Sequence, residues 1–287
     1  MPLTTEVYRT AAGQQAVAEW CAARLDQWPV AHERQLIPTS AGETHLTTAG
    51  TGSDLVVLLP GTNANAATYL PAATALARRG PVVIADLPGQ PGLSAASRPR
   101  RDRLQWYGRW LADVLEQIGD RQAVVLGHSL GGAIALACDS PRIAARVLVS
   151  TGGLTRLRVG PALLAATMSW LARPTPARSA ALLGHFVAPG HTVPSTLVDW
   201  YTLVARHCRS TLAPPPLPAE TLRRCGAVPC LVATGEHDVF LPPRRLRPAA
   251  RRHLATALHV IPDAGHLVTD EHPHRITALL DEIPPRP

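Results

Sequence analysis

Short, continuously apolar runs alternating with helical stretches predict an α/β protein. The expected architecture is a mostly parallel eight-stranded sheet flanked by helices, with a helical insertion in its second half. Three observations carry this. The runs at 55–59, 82–85, 124–126, 147–149, 228–233 and 258–261 are apolar without alternation, as strands buried on both faces are. Stretches with helical spacing lie between them. The rhythm stops at Gly152-Gly153 and resumes only near residue 228.

Taken in order, residues 14–28 read as an amphipathic helix. Val17, Cys21, Leu25 and Trp28 share one face, and Pro29 ends it. Two short strands follow at 34–37 and 44–48, turned by Ser40-Ala41-Gly42. Strand 55–59 leads to a helix at 66–79 that stops at Gly80, and then to strand 82–85. The segment Asp86-Leu87-Pro88-Gly89-Gln90-Pro91-Gly92 is a loop. Leu104, Tyr107, Leu111, Val114, Leu115 and Ile118 line one side of the next helix. From 153 to 224 there are helical stretches and prolines but no convincing buried strand. The chain thus divides into a core, 1–152 with 225–287, and a helical cap inserted at 153–224. The proline-rich run 213–218 reads as a stiff connector leaving the cap.

The most informative segment is Gly127-His128-Ser129-Leu130-Gly131. An apolar strand runs into it, and Gly132-Ala133-Ile134-Ala135-Leu136-Ala137 continues as a buried helix. Strand, sharp turn and helix with serine at the apex is the setting that exposes a nucleophilic oxygen. Small neighbours are needed because the turn is strained and closely packed. The helix N-terminus beside the serine favours negative charge.

A serine hydroxyl is a poor nucleophile at neutral pH and needs a base, which in turn needs an orienting carboxylate. In this arrangement the acid and then the histidine follow at the ends of late strands. Asp238, in Gly235-Glu236-His237-Asp238, is the expected acid, set against Glu236. His266, in Pro262-Asp263-Ala264-Gly265-His266, is the expected base, with His237, His259, His272 and His274 as rivals. An acid at the end of the strand before the cap is excluded, because that strand ends in Ser150-Thr151. A tetrahedral intermediate needs two N–H donors. The backbone of Leu130 supplies one and that of Thr62, in Pro60-Gly61-Thr62-Asn63-Ala64-Asn65, the other. The side chains of Asn63 and Asn65 either assist or only shape the turn. In the cap, Met168, Trp170 and Trp200 are expected to line a pocket for an apolar acyl group.

Composition excludes several classes. Hydrophobic content of 46% supports a sizeable core, and 17% charged residues argues against disorder. Formal net charge is +7, and all 28 basic residues are arginine. The clusters Arg98-Pro99-Arg100-Arg101 and Arg244-Arg245-Leu246-Arg247 read as solvated surface, without any nucleic-acid-binding signature beside them. No apolar run reaches membrane-span length, and the first residues do not read as a secretory signal. Five scattered cysteines form no disulfide or zinc pattern, which points to reduced thiols and a cytoplasmic protein.

With these motifs in order, the chain resembles the serine hydrolases of the α/β-hydrolase fold, and more narrowly the bacterial carboxylesterases of the naproxen-esterase type. The resemblance rests on Leu25-Asp26-Gln27-Trp28-Pro29-Val30 with the strand pair after it, on Leu58-Leu59-Pro60-Gly61, on the Ser129 motif, on Gly235-Glu236-His237-Asp238, and on Gly265-His266 followed by Glu271 and Pro273. It implies hydrolysis of a hydrophobic small-molecule ester through an acyl-enzyme on Ser129, with no metal or organic cofactor; the composition adds that no nucleic-acid or membrane partner is expected. A thioesterase or acyltransferase, a non-hydrolytic ligand receptor, and a C–C hydrolase or lyase remain open alternatives. Two features depart from the family pattern. Pro60-Gly61 stands where His-Gly is usual, which removes a side-chain anchor from the oxyanion loop. Pro88 and Pro91 stiffen the loop at the pocket entrance.

Overall fold

The apolar runs become strands in the computed structural model, which describes residues 4–209, 215–225 and 228–283. The strands are β1 (Thr4–Glu6), β2 (His32–Thr39), β3 (Gly42–Ala49), β4 (Val56–Leu59), β5 (Val82–Ala85), β6 (Ser97–Pro99), β7 (Ala123–His128), β8 (Ile143–Val149), β9 (Cys230–Gly235) and β10 (Leu258–Ile261). Eight of them form one sheet in the order β10-β9-β8-β7-β4-β5-β3-β2, parallel except at β2 and β3; β1 and β6 pair separately. The expected mostly parallel eight-stranded sheet flanked by helices is what the chain forms.

Helices cover both faces: α1 (Ala11–Asp26), α2 (Leu70–Ala77), α3 (Arg103–Gln117), α4 (Leu130–Ala137), α5 (Pro161–Ala172), α6 (Pro176–Leu183), α7 (Ser195–His207), α8 (Ala219–Cys225), α9 (Pro243–Leu254), α10 (Val268–Glu271) and α11 (Pro273–Ala278). The period of two along a strand sends successive side chains to opposite faces. Val56 and Leu58 therefore join one apolar cluster, and Val57 and Leu59 the other. Because neither side of these strands meets water, their sequence shows no polar alternation. Each such side chain contributes roughly 1.5–3 kcal/mol by burial.

The N-terminal helix starts and stops earlier than its hydrophobic face suggests. Thr10 caps it by accepting the Gly13 N–H, and Trp28 is buried just past its end, with its indole N–H donated to Thr74 Oγ1 at 2.8 Å. The expected helix at 66–79 is a short 3₁₀ turn (Ala66–Thr68) followed by α2, with Tyr69 at the break.

Between β8 and β9 the described residues hold α5 to α8 and no strand of the main sheet. This excursion leaves and returns through one neck, where the Leu217 N–H donates to the Gly153 carbonyl at 2.8 Å. Helix α8 lies beyond the neck, in the core layer: Leu222 and Cys225 join the cluster around α4 and α9, and the Cys225 thiol reaches the Leu136 carbonyl. Helix α8 thus packs with the core layer although it falls within the expected cap segment 153–224. Of the proline-rich run 213–218, residues 213 and 214 lie outside the described residues. Helix α1 braces the excursion, since Trp20 meets Trp200 of α7 at 4.7 Å between rings. All five cysteines are buried and free. Among the described residues, no helix is long and apolar enough to cross a membrane.

Candidate active site

In a parallel sheet every strand delivers its following loop to the same edge, where ligands bind. The loops after β4, β7, β9 and β10 accordingly bring Thr62, Ser129, Asp238 and His266 to one edge of the sheet.

Ser129 sits at the turn between β7 and α4 with φ 53 and ψ −109, a backbone conformation that side-chain-bearing residues rarely adopt. Its neighbours make that tolerable. A Cβ on Gly131 would lie 2.1 Å from the Leu59 carbonyl oxygen, and one on Gly127 2.5 Å from the Gly131 backbone. The Ser129 N–H donates to Val149 at 3.0 Å, and its carbonyl accepts from Gly152 at 2.9 Å. Both bonds come from β8 and the loop that follows it, which hold the strained turn in place.

His266 joins the two other groups. Its Nε2 lies 3.2 Å from Ser129 Oγ, and its Nδ1 lies 2.9 Å from Asp238 Oδ2. Asp238 is 2% exposed, so every lone pair needs a donor. Oδ1 accepts the Phe240 and Leu241 N–H groups at 2.8 Å each, and Oδ2 also accepts from Thr234 at 3.2 Å. Burial opposes ionisation of this carboxyl. The facing His266 and the backbone N–H of Leu241 outweigh burial and hold it well below the usual carboxylate range. A fixed carboxylate on Nδ1 sets the tautomer that leaves Nε2 free to accept the serine proton.

The rival groups lie elsewhere. His259 pairs with Glu282 at 2.8 Å. His237 is largely exposed, and Glu236 accepts from the Asp263 N–H at 3.3 Å.

The backbone N–H groups of Leu130 and Thr62 make no hydrogen bond among the described residues, whereas their neighbours are used. Gly61 N–H donates to Tyr69 Oη at 2.9 Å and Asn63 N–H to Gln90 at 3.0 Å. Asn63 takes φ 59, and Asn65 donates to the Pro91 carbonyl and closes a capping box, so both shape the turn. Asp86 ties this loop to the proline-bearing one by accepting from Ala66 at 2.7 Å and Leu93 at 3.0 Å.

Tyr69 supplies the anchor that Pro60 cannot. Its hydroxyl accepts from Gly61 and donates to Nδ1 of His128; His128 in turn donates from Nε2 to the His266 carbonyl at 2.8 Å. Burial, with His266 close by, lowers the His128 pKa to about 3, which keeps the ring neutral as this chain of bonds requires. One continuous buried network therefore joins the loop of Thr62 to the loop of His266. Nothing in the sequence marked Tyr69; the histidine of the Gly127–Gly131 motif was visible, but its partner was not.

The three apolar residues expected to line a pocket differ in their surroundings. Met168 is 58% exposed on α5. Trp170 is buried and donates to the Tyr201 carbonyl at 3.1 Å. Trp200 is fully buried and donates to the Asn63 carbonyl at 2.6 Å, which ties α7 to the loop of Thr62. The aromatic rings that meet His266 are Phe240 at 4.8 Å and Phe186 at 6.4 Å between centroids. The excursion is stitched to the His266 loop at this point. Leu267 N–H donates to Phe186 O, and Glu271 accepts from both Ala188 and Gly265.

One cluster among the described residues has metal-ligand character. His191, Asp263 and His272 hold their donor atoms within 4.8 Å of one another. These groups already satisfy one another: His191 lies 2.9 Å from Asp263 and 3.1 Å from Glu271, and His272 donates to the Asp263 carbonyl.

Residues 56–279 match the sequence model of the alpha/beta hydrolase family. An uncharacterized protein of Mycobacterium tuberculosis is 25% identical over 263 residues, covering 82% of this chain and 76% of that one. Among solved structures, naproxen esterase (carboxylesterase NP) of Bacillus subtilis superposes with a TM-score of 0.77 at 20% identity, covering 96% of this chain and 99% of that one. Carboxylesterase CesB of the same organism gives 0.77 at 19%, covering 95% and 98%. At such identities the structural likeness is one of fold.

Proposed function

This chain belongs to the alpha/beta hydrolase family, and we propose that within it the protein is a serine hydrolase acting on the carboxylic ester of a hydrophobic small molecule. The observation that carries this is the linear array of Ser129 Oγ, His266 Nε2 and Nδ1, and Asp238 Oδ2, with contacts of 3.2 and 2.9 Å. His266 takes the Ser129 proton as Oγ attacks the ester carbonyl. The N–H groups of Thr62 and Leu130 stabilise the oxyanion, and the imidazolium returns the proton to the departing alcohol. Water, activated by the same His266, then releases the acid from Ser129. Asp238 remains ionised throughout and stabilises the imidazolium. The excursion acts as a cap over the site, with Phe186 against the His266 ring. The carboxylesterase names of the two Bacillus structures agree with this reading.

The test is pre-steady-state hydrolysis of p-nitrophenyl acyl esters. Nitrophenolate should appear in a burst equivalent to one acyl group per protein, followed by slower turnover. Ser129→Ala protein should show neither phase. A burst retained in that variant would rule out an acyl-enzyme at Ser129. Adding hydroxylamine or an alcohol separates hydrolysis from acyl transfer, since a transferase partitions its acyl group to the added acceptor in preference to water.

A further inference from the structure

A cavity of about 980 Å³ has Thr62 and Leu130 among its lining residues, while Ser129, His266 and Phe186 are not among them. Its size falls within the range of small-molecule sites. Thr62 and Leu130 form part of its wall, and Leu104, Tyr107 and Leu217 give it an apolar lining. Its rim is cationic. Arg100, Arg101, Arg103, Arg109 and Arg224 face it, against the carboxylates Asp102 and Asp139. Arginine makes its ion pairs at Arg34, Arg79 and Arg142 among the described residues, none of which is on this rim. The sequence reading assigned the Arg98–Arg101 cluster to solvated surface. The fold instead places Arg100 and Arg101 around a cavity that Thr62 and Leu130 also line.

Among the described residues these five guanidinium groups have no carboxylate partner, Arg100 donating instead to Thr5 Oγ1 at 3.2 Å; like charges so placed repel one another, and their planar forks match carboxylate and phosphate oxygens. An apolar lining beneath such a rim fits a ligand with an apolar body and an anionic end. Leu130 follows Ser129 directly in the chain, so a ligand whose carbonyl lies at the Thr62 and Leu130 wall adjoins the serine while its far end extends toward the rim. Resting on the assignment of Ser129 as nucleophile, we propose that the preferred substrate is an ester or thioester whose acyl chain ends in a carboxylate or phosphate, bound at this arginine rim.

The experiment compares matched acyl groups. Wild-type protein is given p-nitrophenyl esters of monocarboxylic acids with four to eight carbons. Parallel arms use p-nitrophenyl monoesters of dicarboxylic acids of the same lengths, and phosphorylated ω-hydroxyacyl esters. The expected result is a preference in kcat/KM for one anionic series of about tenfold or more at low ionic strength, weakening in 0.5 M salt. In the Arg101→Gln/Arg103→Gln/Arg224→Gln variant, checked for an unchanged melting temperature, the ratio should fall close to one. The carboxylate and phosphate arms identify which head group is read. A wild-type ratio at or below one for both, or a ratio that the triple variant leaves intact, overturns the proposal.

Calorimetric titration of Ser129→Ala protein with the same compounds separates this inference from the one beneath it. Tighter binding of an anionic ester that never turns over in wild type would support the cavity and sink the nucleophile. Equal or absent binding of both series would sink the cavity even if neutral esters are hydrolysed.

Discussion

The sheet edge and the helical excursion are both rich in apolar residues, yet they hold the site in different ways. At the edge, position follows from periodicity: a parallel strand ends, and the next few residues stand over the site. In the excursion, α5 is apolar nearly all round, so no face is written into it; only Leu163 and Trp170 are buried, and Met168 faces water. The difference teaches that the proposed catalytic array lies in local segments, whereas the surroundings of the site depend on how helices meet.

The strongest way to break that comparison is at the sheet edge. Ser129→Ala and His266→Ala should each lower kcat for ester hydrolysis by roughly 10⁴-fold or more with the fold intact by circular dichroism. Asp238→Asn should cost roughly 10³–10⁴-fold, because the amide keeps the shape but favours the wrong imidazole tautomer. If these losses were accompanied by unfolding, the edge would be a structural device rather than a chemical one.

Next is the network between the two loops. Tyr69→Phe strands the Gly61 N–H and the His128 Nδ1 in a buried place, which should cost about 1–3 kcal/mol of stability by urea unfolding. It should also lower kcat more than it changes KM, since Gly61 adjoins Thr62. The same network gives a pH signature. The His128 pKa is held at about 3 in the folded protein, below its ordinary 6.5. Its contribution is therefore fully present above about pH 6.5 and is lost as pH falls toward 3. Urea midpoints between pH 7 and 4 should decline in wild type and decline less in His128→Asn, which starts from lower stability. A slope unchanged by that substitution would remove His128 from the account.

The smallest effects sharpen the comparison within the excursion. Trp200→Phe leaves the Asn63 carbonyl without its indole donor and should cost about 1–3 kcal/mol of stability. Met168→Ser, on an exposed position, should stay within about 0.5 kcal/mol and leave kcat/KM unchanged. A large kinetic effect at Met168 would mean that α5 folds over the site in solution.

Legibility followed the same division. The strands buried on both faces were readable because they lack any polar alternation, and Ser129, Asp238 and His266 because each follows such a strand at a loop carrying glycine. The free N–H of Thr62 could be anticipated from Gly61 alone. Tyr69 could not, since it acts across the turn on residues distant in sequence, and a tyrosine between two helical turns looks like any other core side chain. Phe186 and Phe240 were equally silent, because they reach His266 from separate segments. The arginine rim was visible as composition but not as a place. Arg224 lies 121 residues from Arg103, and only the packing of α8 near α3 and α4 brings them to one cavity.

The central claim, that Ser129 is an activated nucleophile served by His266, is tested most directly by a fluorophosphonate probe with the adduct mapped by mass spectrometry. A single adduct on Ser129, absent in Ser129→Ala and at least tenfold slower to form in His266→Ala, is the predicted result. Folded protein that takes up no probe, or takes it up at the same rate without His266, would contradict the claim and leave the array of hydrogen bonds without a reaction.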